Sequence, residues 1–216
     1  MAARKKTAKK TSGKSTPAAG GTLDKIVDAL AGEAAAVGWH NVTMEAVAAR
    51  AGLGLGEVLL EAPTKTHLLC AVIDRIDART LAPVKKLDPE DSPRDRLFEI
   101  LMRRFDALNE RRDAAKAVIS GIARDPAALV VTAVRLQRSF AAILAAAGVS
   151  TSGLKGLARI QGLKAVTAFA LRAWMTDDSA DLSKTMAALD RALNRAEKLA
   201  GMVSFRRRDK VEEATA

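Results

Sequence analysis

Apolar residues recur at helical spacing from Thr22 onward, and helix start and stop signals divide the chain into about nine segments. Threonine, serine or aspartate stands where most of these segments begin, and glycine or the residue before a proline stands where several of them end. The pattern predicts helices over approximately residues 23–37, 44–51, 55–61, 64–81, 93–108, 111–123, 126–148, 153–175 and 182–203. No strand is predicted.

The composition agrees with an all-α fold. Hydrophobic residues make up 49% of the 216 residues, aromatic residues make up only 3%, and tyrosine is absent. Sheets favour aromatic and β-branched residues, whereas alanine and leucine favour helices, so this chain leans towards helix. The single cysteine, Cys70, excludes an internal disulfide framework. His67 and Cys70 lie three residues apart, but two ligands leave a metal site incomplete, so we expect no metal and no cofactor.

The net charge of +10 is concentrated at the N-terminus. Residues 1–21 have too little apolar surface to offset the entropy of ordering, and they are predicted to form a disordered basic tail. The basic residues of this tail are Arg4, Lys5, Lys6, Lys9, Lys10 and Lys14. Such an arm attracts nucleic acid or anionic lipid through counterion release, and a solubilising extension explains it equally well. Residues 204–216 are predicted to be a second, C-terminal basic tail.

The segment from Thr22 to Leu81 carries a helix-turn-helix pattern. Its first helix ends at Gly38-Trp39, and residues 42–53 read VTMEAVAARAGL. This segment resembles the DNA-binding domain of the TetR family of transcriptional regulators. The resemblance implies a helix-turn-helix domain over 22–82 and an all-helical ligand-binding and dimerisation domain over 83–203. It also implies DNA as a partner, and a homodimer formed through the last two helices.

In that family, the short helix that begins here near Leu55 enters the major groove of DNA. The family has a tyrosine, a polar or basic residue, a histidine and a phenylalanine where this chain has Leu59-Leu60-Glu61-Ala62. Phosphates repel a carboxylate such as Glu61, and leucine can contact only a thymine methyl group. The DNA contacts that the resemblance implies outside the tail are Thr43, Gly54, Leu55, Gly56, Glu57, Leu59, Leu60 and Lys65. Either the basic tail adds nonspecific affinity, or the helix-turn-helix is a scaffold that binds no operator.

A second resemblance covers about 25 residues near the C-terminus. Residues 173–182 read AWMTDDSADL and are followed by Thr185, Leu189, Asp190 and Arg191. They resemble the TetR-fold lipid-binding accessory proteins of ubiquinone (coenzyme Q) biosynthesis. This resemblance implies an alternative function, in which the protein binds a lipid, touches the membrane peripherally and keeps the helix-turn-helix only as scaffold.

A ligand site is expected as a cavity between helices of the second domain, where a small apolar effector or a lipid would bind. The candidate lining residues are its large apolar side chains, namely Phe98, Leu101, Met102, Phe105, Ile119, Leu136, Phe140, Phe169 and Trp174. Each of these positions also suits a packed core, because spacing does not separate a cavity wall from a core position.

Enzymatic activity is not expected. The acidic residues at 88, 90 and 91 lie in a proline-containing connector between helices, which favours a solvated loop over paired catalytic carboxylates. No glycine-rich phosphate loop follows a strand, since no strand is predicted. No uninterrupted apolar run reaches the ~18 residues of a membrane span, and the N-terminus lacks the apolar stretch of a secretion signal, so we expect a cytoplasmic protein.

Overall fold

The computed structural model describes residues 19–83, 88 and 90–213, and every regular element in this part of the chain is helical. The nine α-helices among these residues are α1 (Ala19–Val37), α2 (Met44–Ala51), α3 (Leu55–Glu61), α4 (Lys65–Leu81), α5 (Pro93–Asn109), α6 (Arg112–Ile122), α7 (Pro126–Ala146), α8 (Gly153–Met175) and α9 (Ser183–Glu213). A short 3₁₀ turn, Trp39–Asn41, links α1 to α2. The predicted all-α class and the predicted set of helices are confirmed.

Side-chain caps account for several helix boundaries. The Thr43 hydroxyl accepts a hydrogen bond from the backbone N–H of Ala46 (3.2 Å), and the Asp125 carboxylate accepts one from Ala128 (3.0 Å). Each bond satisfies a backbone donor that has no partner within the helix. Gly52 ends α2 in the left-handed conformation, with φ at 68°, which a residue without Cβ adopts at little cost.

Two predicted boundaries differ from the structure. Helix α1 begins at Ala19, inside the predicted tail, and helix α9 continues through Glu213, well into the predicted C-terminal tail. The C-terminal extension is rich in arginine, lysine and glutamate, which are good helix formers even where little apolar surface is available. The basic residues from Arg4 to Lys14 lie outside the described residues.

Helices α1–α4 form a unit that we call the head. Its core is centred on Trp39, Leu30, Val47 and Leu68, which are almost fully buried. Residues of α6 and α7 also join this core, among them Ile122. The head therefore shares apolar packing with the helices that follow it.

Helices α5–α9 form a second unit that we call the body. Its core joins all the helices except α6, which packs mainly against α1 and the 3₁₀ turn. The body core contains the fully buried side chains of Ile100, Phe105, Ile143, Trp174 and Leu189. Helices α8 and α9 make the most extensive pairwise contact of the described chain.

Helix α7 is long and apolar enough, by length and composition alone, to cross a membrane, and it is the one described helix with this property. The sequence shows no uninterrupted run there because Arg135 and Arg138 lie within the helix. Arg135 pairs with Asp74 of α4, while Phe140 and Ile143 are buried in the body core. These contacts identify α7 as a packed helix of the body.

Candidate functional site

The helix-turn-helix consists of α2, a tight turn and α3. Leu53 N–H donates to the carbonyl of Ala48 (3.0 Å), which closes the C-terminus of α2 and turns the chain towards α3. Helix α3 is anchored to the head by two buried side chains, Val58 and Ala62. Its remaining residues are exposed, so α3 presents one whole face to the surroundings.

The exposed face of α3 is apolar and acidic. Leu60 is 89% exposed, and Leu55 and Leu59 are also exposed. The Glu57 carboxylate accepts a hydrogen bond from the Gly54 N–H at 2.8 Å, at the N-terminus of α3. This bond satisfies a backbone donor at the start of α3 with a negatively charged side chain of the same helix.

A cavity of about 220 Å³ lies where the head meets the body. Its walls come from α1 and α4 of the head and from α5, α6, α7 and α8 of the body. Most of the lining is aliphatic, as at Leu30, Ile76 and Val118. Four arginines and two acidic residues also reach the cavity, and Arg104 is the most buried of these charged groups, at 6% exposure.

Solved structures of bacterial regulators share this arrangement of helices. A TetR transcriptional regulator from Nitrosomonas europaea gives a TM-score of 0.66 at 24% identity, over 81% of this chain and 97% of that one. A second, from a Rhodococcus species, gives 0.61 at 24% identity over 81% and 94%. A TetR-family regulator from Streptomyces coelicolor gives 0.57 at 16% identity over 86% and 82%. This chain has the TetR fold.

No protein-family model matches the sequence, and a comparison with curated proteins gives no significant match. At these identities, the structural similarities establish the TetR fold and leave the activity of the chain to its own residues. They give no support to the resemblance with the ubiquinone accessory proteins.

The TetR fold places the sequence-predicted DNA contacts in two different environments. Gly54, Leu55, Gly56, Glu57, Leu59 and Leu60 all lie on the exposed surface of the turn and α3, and Thr43 caps α2 beside them. The Lys65 side chain is directed towards the 3₁₀ turn. Its ammonium group donates to the carbonyl of Trp39 (2.8 Å) and lies 4.6 Å from the centre of the Trp39 ring. Burial lowers the pKa of Lys65, and its charge holds the 3₁₀ turn in place.

The head as a whole is acidic. Residues 22–81 contain eight acidic and five basic side chains, a net charge of −3. Arg50, beside the helix-turn-helix, pairs with Glu33 at 2.8 Å, and Arg75 pairs with Asp28 at 2.6 Å. The head therefore has little positive charge to offer a phosphate backbone, and the six basic tail residues that could supply it lie outside the described residues.

The cavity is closer to the head than the sequence suggested. Of the nine candidate lining residues, Ile119 and Leu136 line it. The residues packed in the body core or against it instead are Phe98, Leu101, Met102, Phe105, Phe140 and Trp174. Phe169 is 43% exposed on the outer side of α8, with the guanidinium of Arg195 at 5.9 Å from its ring centre, so it lines no part of this cavity.

Sequence reasoning missed the polar groups of this junction. The Arg104 guanidinium pairs with Asp77 of α4 and donates to the Ser139 hydroxyl of α7 at 3.1 Å. Trp39 of the 3₁₀ turn lies against Gly121 of α6, and its indole N–H donates to Asp125 at 3.3 Å. The sequence offered one signal of this polar junction, since Arg104 lies on the apolar stripe of α5, beside Leu101 and Phe105 in the helical repeat.

Within the described residues, no group of three or more His, Cys, Asp or Glu side chains is placed to hold a metal ion. The ring of His67 instead bonds to the Thr64 hydroxyl at 2.8 Å, and Cys70 is half-buried.

Proposed function

We propose that this protein is a non-enzymatic, DNA-binding transcriptional regulator with a ligand-responsive body, acting in the cytoplasm. The observation that carries this proposal is the TetR fold with an exposed, well-anchored helix-turn-helix. A DNA-recognition helix requires solvent-exposed side chains that do not pack in the head, and most residues of α3 are exposed in this way.

The basic tail supplies most of the DNA affinity in this proposal. The head carries a net charge of −3, whereas residues 1–21 carry six basic side chains and no acidic one. A cationic arm neutralises phosphates at any sequence, and α3 then adds contacts between leucine side chains and thymine methyl groups. In this proposal the tail supplies the positive charge, and α3 supplies the contacts with the bases.

The tail's role is tested by replacing its six arginines and lysines with glutamine while keeping the chain length. We expect affinity to fall for all DNA sequences, and the slope of log affinity against log salt to flatten by up to about five, since each phosphate contact contributes about 0.9. The measurement is fluorescence anisotropy with labelled duplex at several salt concentrations. Equal affinity and slope for the two proteins would contradict the tail's role.

Sequence reading by α3 needs a separate test. We expect selection from genomic DNA fragments, with competitor DNA present at near-physiological salt, to recover a discrete site bound by the full chain. Leu60→Ala at the tip of α3 should lower the preference for that site and leave nonspecific binding unchanged, because Leu60 contributes no charge. Recovery of no preferred site would refute sequence-specific regulation.

We further propose that the protein is a homodimer joined through α8 and α9. An exposed apolar stripe runs along α8 through Leu154, Ala158, Gly162, Ala165 and Phe169. Large contiguous apolar surfaces on soluble proteins mark contacts with other molecules. An added Cβ at Gly162 would meet no neighbouring atom of the described residues within 4 Å, which leaves room for a partner helix to approach closely.

The dimer is tested by Gly162→Glu, which puts a charge in the middle of this stripe. Ala142→Glu on the exposed surface of α7 is the matched control, because it adds the same charge four residues from Arg138. Analytical ultracentrifugation should show a dimer for the natural chain and for the control, and a monomer for Gly162→Glu. A dimer that survives Gly162→Glu would place the interface elsewhere.

A further inference from the structure

The cavity at the junction of head and body contains polar groups that lack hydrogen-bond partners among the described residues. The Thr132 hydroxyl, on α7, is buried and has no hydrogen-bond partner among the described residues. Arg104 uses only Nη1 in its bonds to Asp77 and Ser139 within that same part of the chain, so Nε and Nη2 remain as donors. Buried polar groups are normally satisfied, and those left over in an apolar cavity point to a ligand that bonds to them.

Charged side chains surround the mouth of the cavity. Arg75, Arg79 and Arg111 line the cavity together with two carboxylates, Asp28 and Glu110, and all five side chains are partly or largely exposed. They therefore lie where the cavity meets solvent. Asp28 pairs with Arg75 at 2.6 Å and also with Arg111 at 3.0 Å, while Arg75 lies 3.8 Å from Asp24 and Arg79 pairs with Glu110. These three guanidinium groups therefore have three carboxylate partners, and the free donors of the buried Arg104 set the sign of the ligand.

The volume sets the size of the ligand. A cavity of about 150 Å³ holds a benzene molecule, and drug-sized ligands occupy roughly 300–1,000 Å³. The cavity here, at about 220 Å³, lies between the two. Its aliphatic lining suits a compact hydrocarbon body, whether an aromatic ring with a short side chain or a medium-length alkyl chain.

We propose that this cavity binds a small apolar carboxylic acid of roughly ten non-hydrogen atoms, as its carboxylate. The carboxylate accepts hydrogen bonds from Arg104 and from the Thr132 hydroxyl, and the hydrocarbon body fills the space between α1, α4, α6 and α7. A guanidinium with free donors matches the two oxygens of a carboxylate better than any neutral group. The inference rests on the proposed function only for its regulatory consequence, namely a change in DNA binding.

The test uses isothermal titration calorimetry on the full chain without DNA. Octanoate and phenylpropanoate are the probes, and each is compared with its primary amide and its alcohol. We expect saturable binding of at least one acid, and at least tenfold weaker binding of its neutral counterparts. Equal affinity for acid and amide, or no saturable binding of either acid, would overturn the proposal.

Two variants locate the binding. Thr132→Val keeps the side-chain shape and removes the hydroxyl, so affinity should fall about threefold to tenfold. Arg104→Lys keeps the charge and removes the planar donors, and we expect a loss of tenfold or more. Thr167→Val is the matched control, because Thr167 is a buried helical threonine outside the cavity whose hydroxyl already donates to Leu163 at 2.9 Å.

Unchanged affinity in both Thr132→Val and Arg104→Lys would refute this site, and an equal loss in Thr167→Val would show that the effect is not local. Thr132→Val keeps the test valid even if Arg104→Lys folds poorly. The titration contains no DNA, so a failure to bind either acid would not affect the DNA-binding proposal. Equally, a failure to bind DNA would not affect the result of the titration.

Discussion

The contact between Trp39 and Gly121 gives the most direct test of how the head and body are joined. Trp39 is 1% exposed, and Gly121 is buried on the side of α6 that faces it. A Cβ added at Gly121 would lie 2.2 Å from the Trp39 Cβ, 2.7 Å from its Cγ and 2.9 Å from its Cδ1. Non-bonded carbon atoms are normally about 3.5–4.0 Å apart. Gly121→Ala therefore cannot be accepted unless α6 and the 3₁₀ turn move apart.

The size of the effect follows from two opposing terms. Overpacking costs typically about 1–3 kcal/mol and sometimes more, and the upper end applies here because the Trp39 Cβ is fixed to the backbone and cannot rotate away. Alanine inside a helix is about 1 kcal/mol more favourable than glycine. We therefore expect a net destabilisation of about 2 kcal/mol for Gly121→Ala. In a chain of this size, that lowers Tm by about 4–8 °C.

Thermal unfolding, followed by circular dichroism at one fixed protein concentration, measures this change, since association would shift Tm with concentration. Gly21→Ala is the matched control, because a Cβ there meets no atom of the described residues within 4 Å and Gly21 is an exposed residue in the first turn of α1. Its Tm should stay the same or rise slightly. A Tm for Gly121→Ala at or above that of the natural chain would refute the idea that Trp39 locks the head to α6.

Three further predictions concern single side chains. Thr43→Ala removes the cap of α2 and should cost about 1 kcal/mol in urea unfolding, while Thr43→Ser should keep most of the stability; equal values for the two would exclude the cap. Leu60→Lys should change the free energy of unfolding by less than about 0.5 kcal/mol, because the Leu60 side chain is 89% exposed. It should also raise DNA affinity and steepen the slope of log affinity against log salt by about one. An unchanged slope would place α3 away from DNA. Burial by itself raises the pKa of Asp177, but hydrogen bonds from Ser179 and Thr185 outweigh it and hold that pKa well below its usual range. This stabilisation is complete above the unfolded-state pKa of about 4 and is lost as the pH falls below it. Asp177→Asn should therefore be less stable than the natural chain at pH 7 and should lose less stability on acidification. Parallel plots of stability against pH for the two proteins would contradict this role of Asp177.

Most helix boundaries between α1 and α9 followed from the sequence because their causes are local. Thr43 bonds to a backbone N–H three residues away, and Gly52 adopts a left-handed conformation that its own lack of a Cβ allows. Such signals need no knowledge of the rest of the chain.

The position of the cavity beside the head could not be predicted, because its walls come from helices that are far apart in sequence. Arg104 bonds to Asp77 and Ser139, which lie 27 and 35 residues away from it. Lys65 was expected on the DNA side, but its ammonium bonds to the carbonyl of Trp39, 26 residues earlier in the chain. A helical repeat shows that these side chains lie on a given face, and it does not show which groups the fold brings opposite them.

Long-range contacts also connect the cavity wall to the head. Helix α6 contributes Val118 and Ile119 to the cavity wall, and two residues later Gly121 leaves no free space against Trp39. Asp28 of α1 joins Arg75 of α4 to Arg111 at the start of α6. A ligand that displaced α6 would therefore have to move the 3₁₀ turn or break the Asp28 pairs, because close-packed contacts transmit a shift and do not absorb it. The 3₁₀ turn leads directly into α2, so such a movement would change the placement of α3. Ligand binding would then shift the population of heads arranged to meet DNA, by as much as the ligand prefers one arrangement over the other.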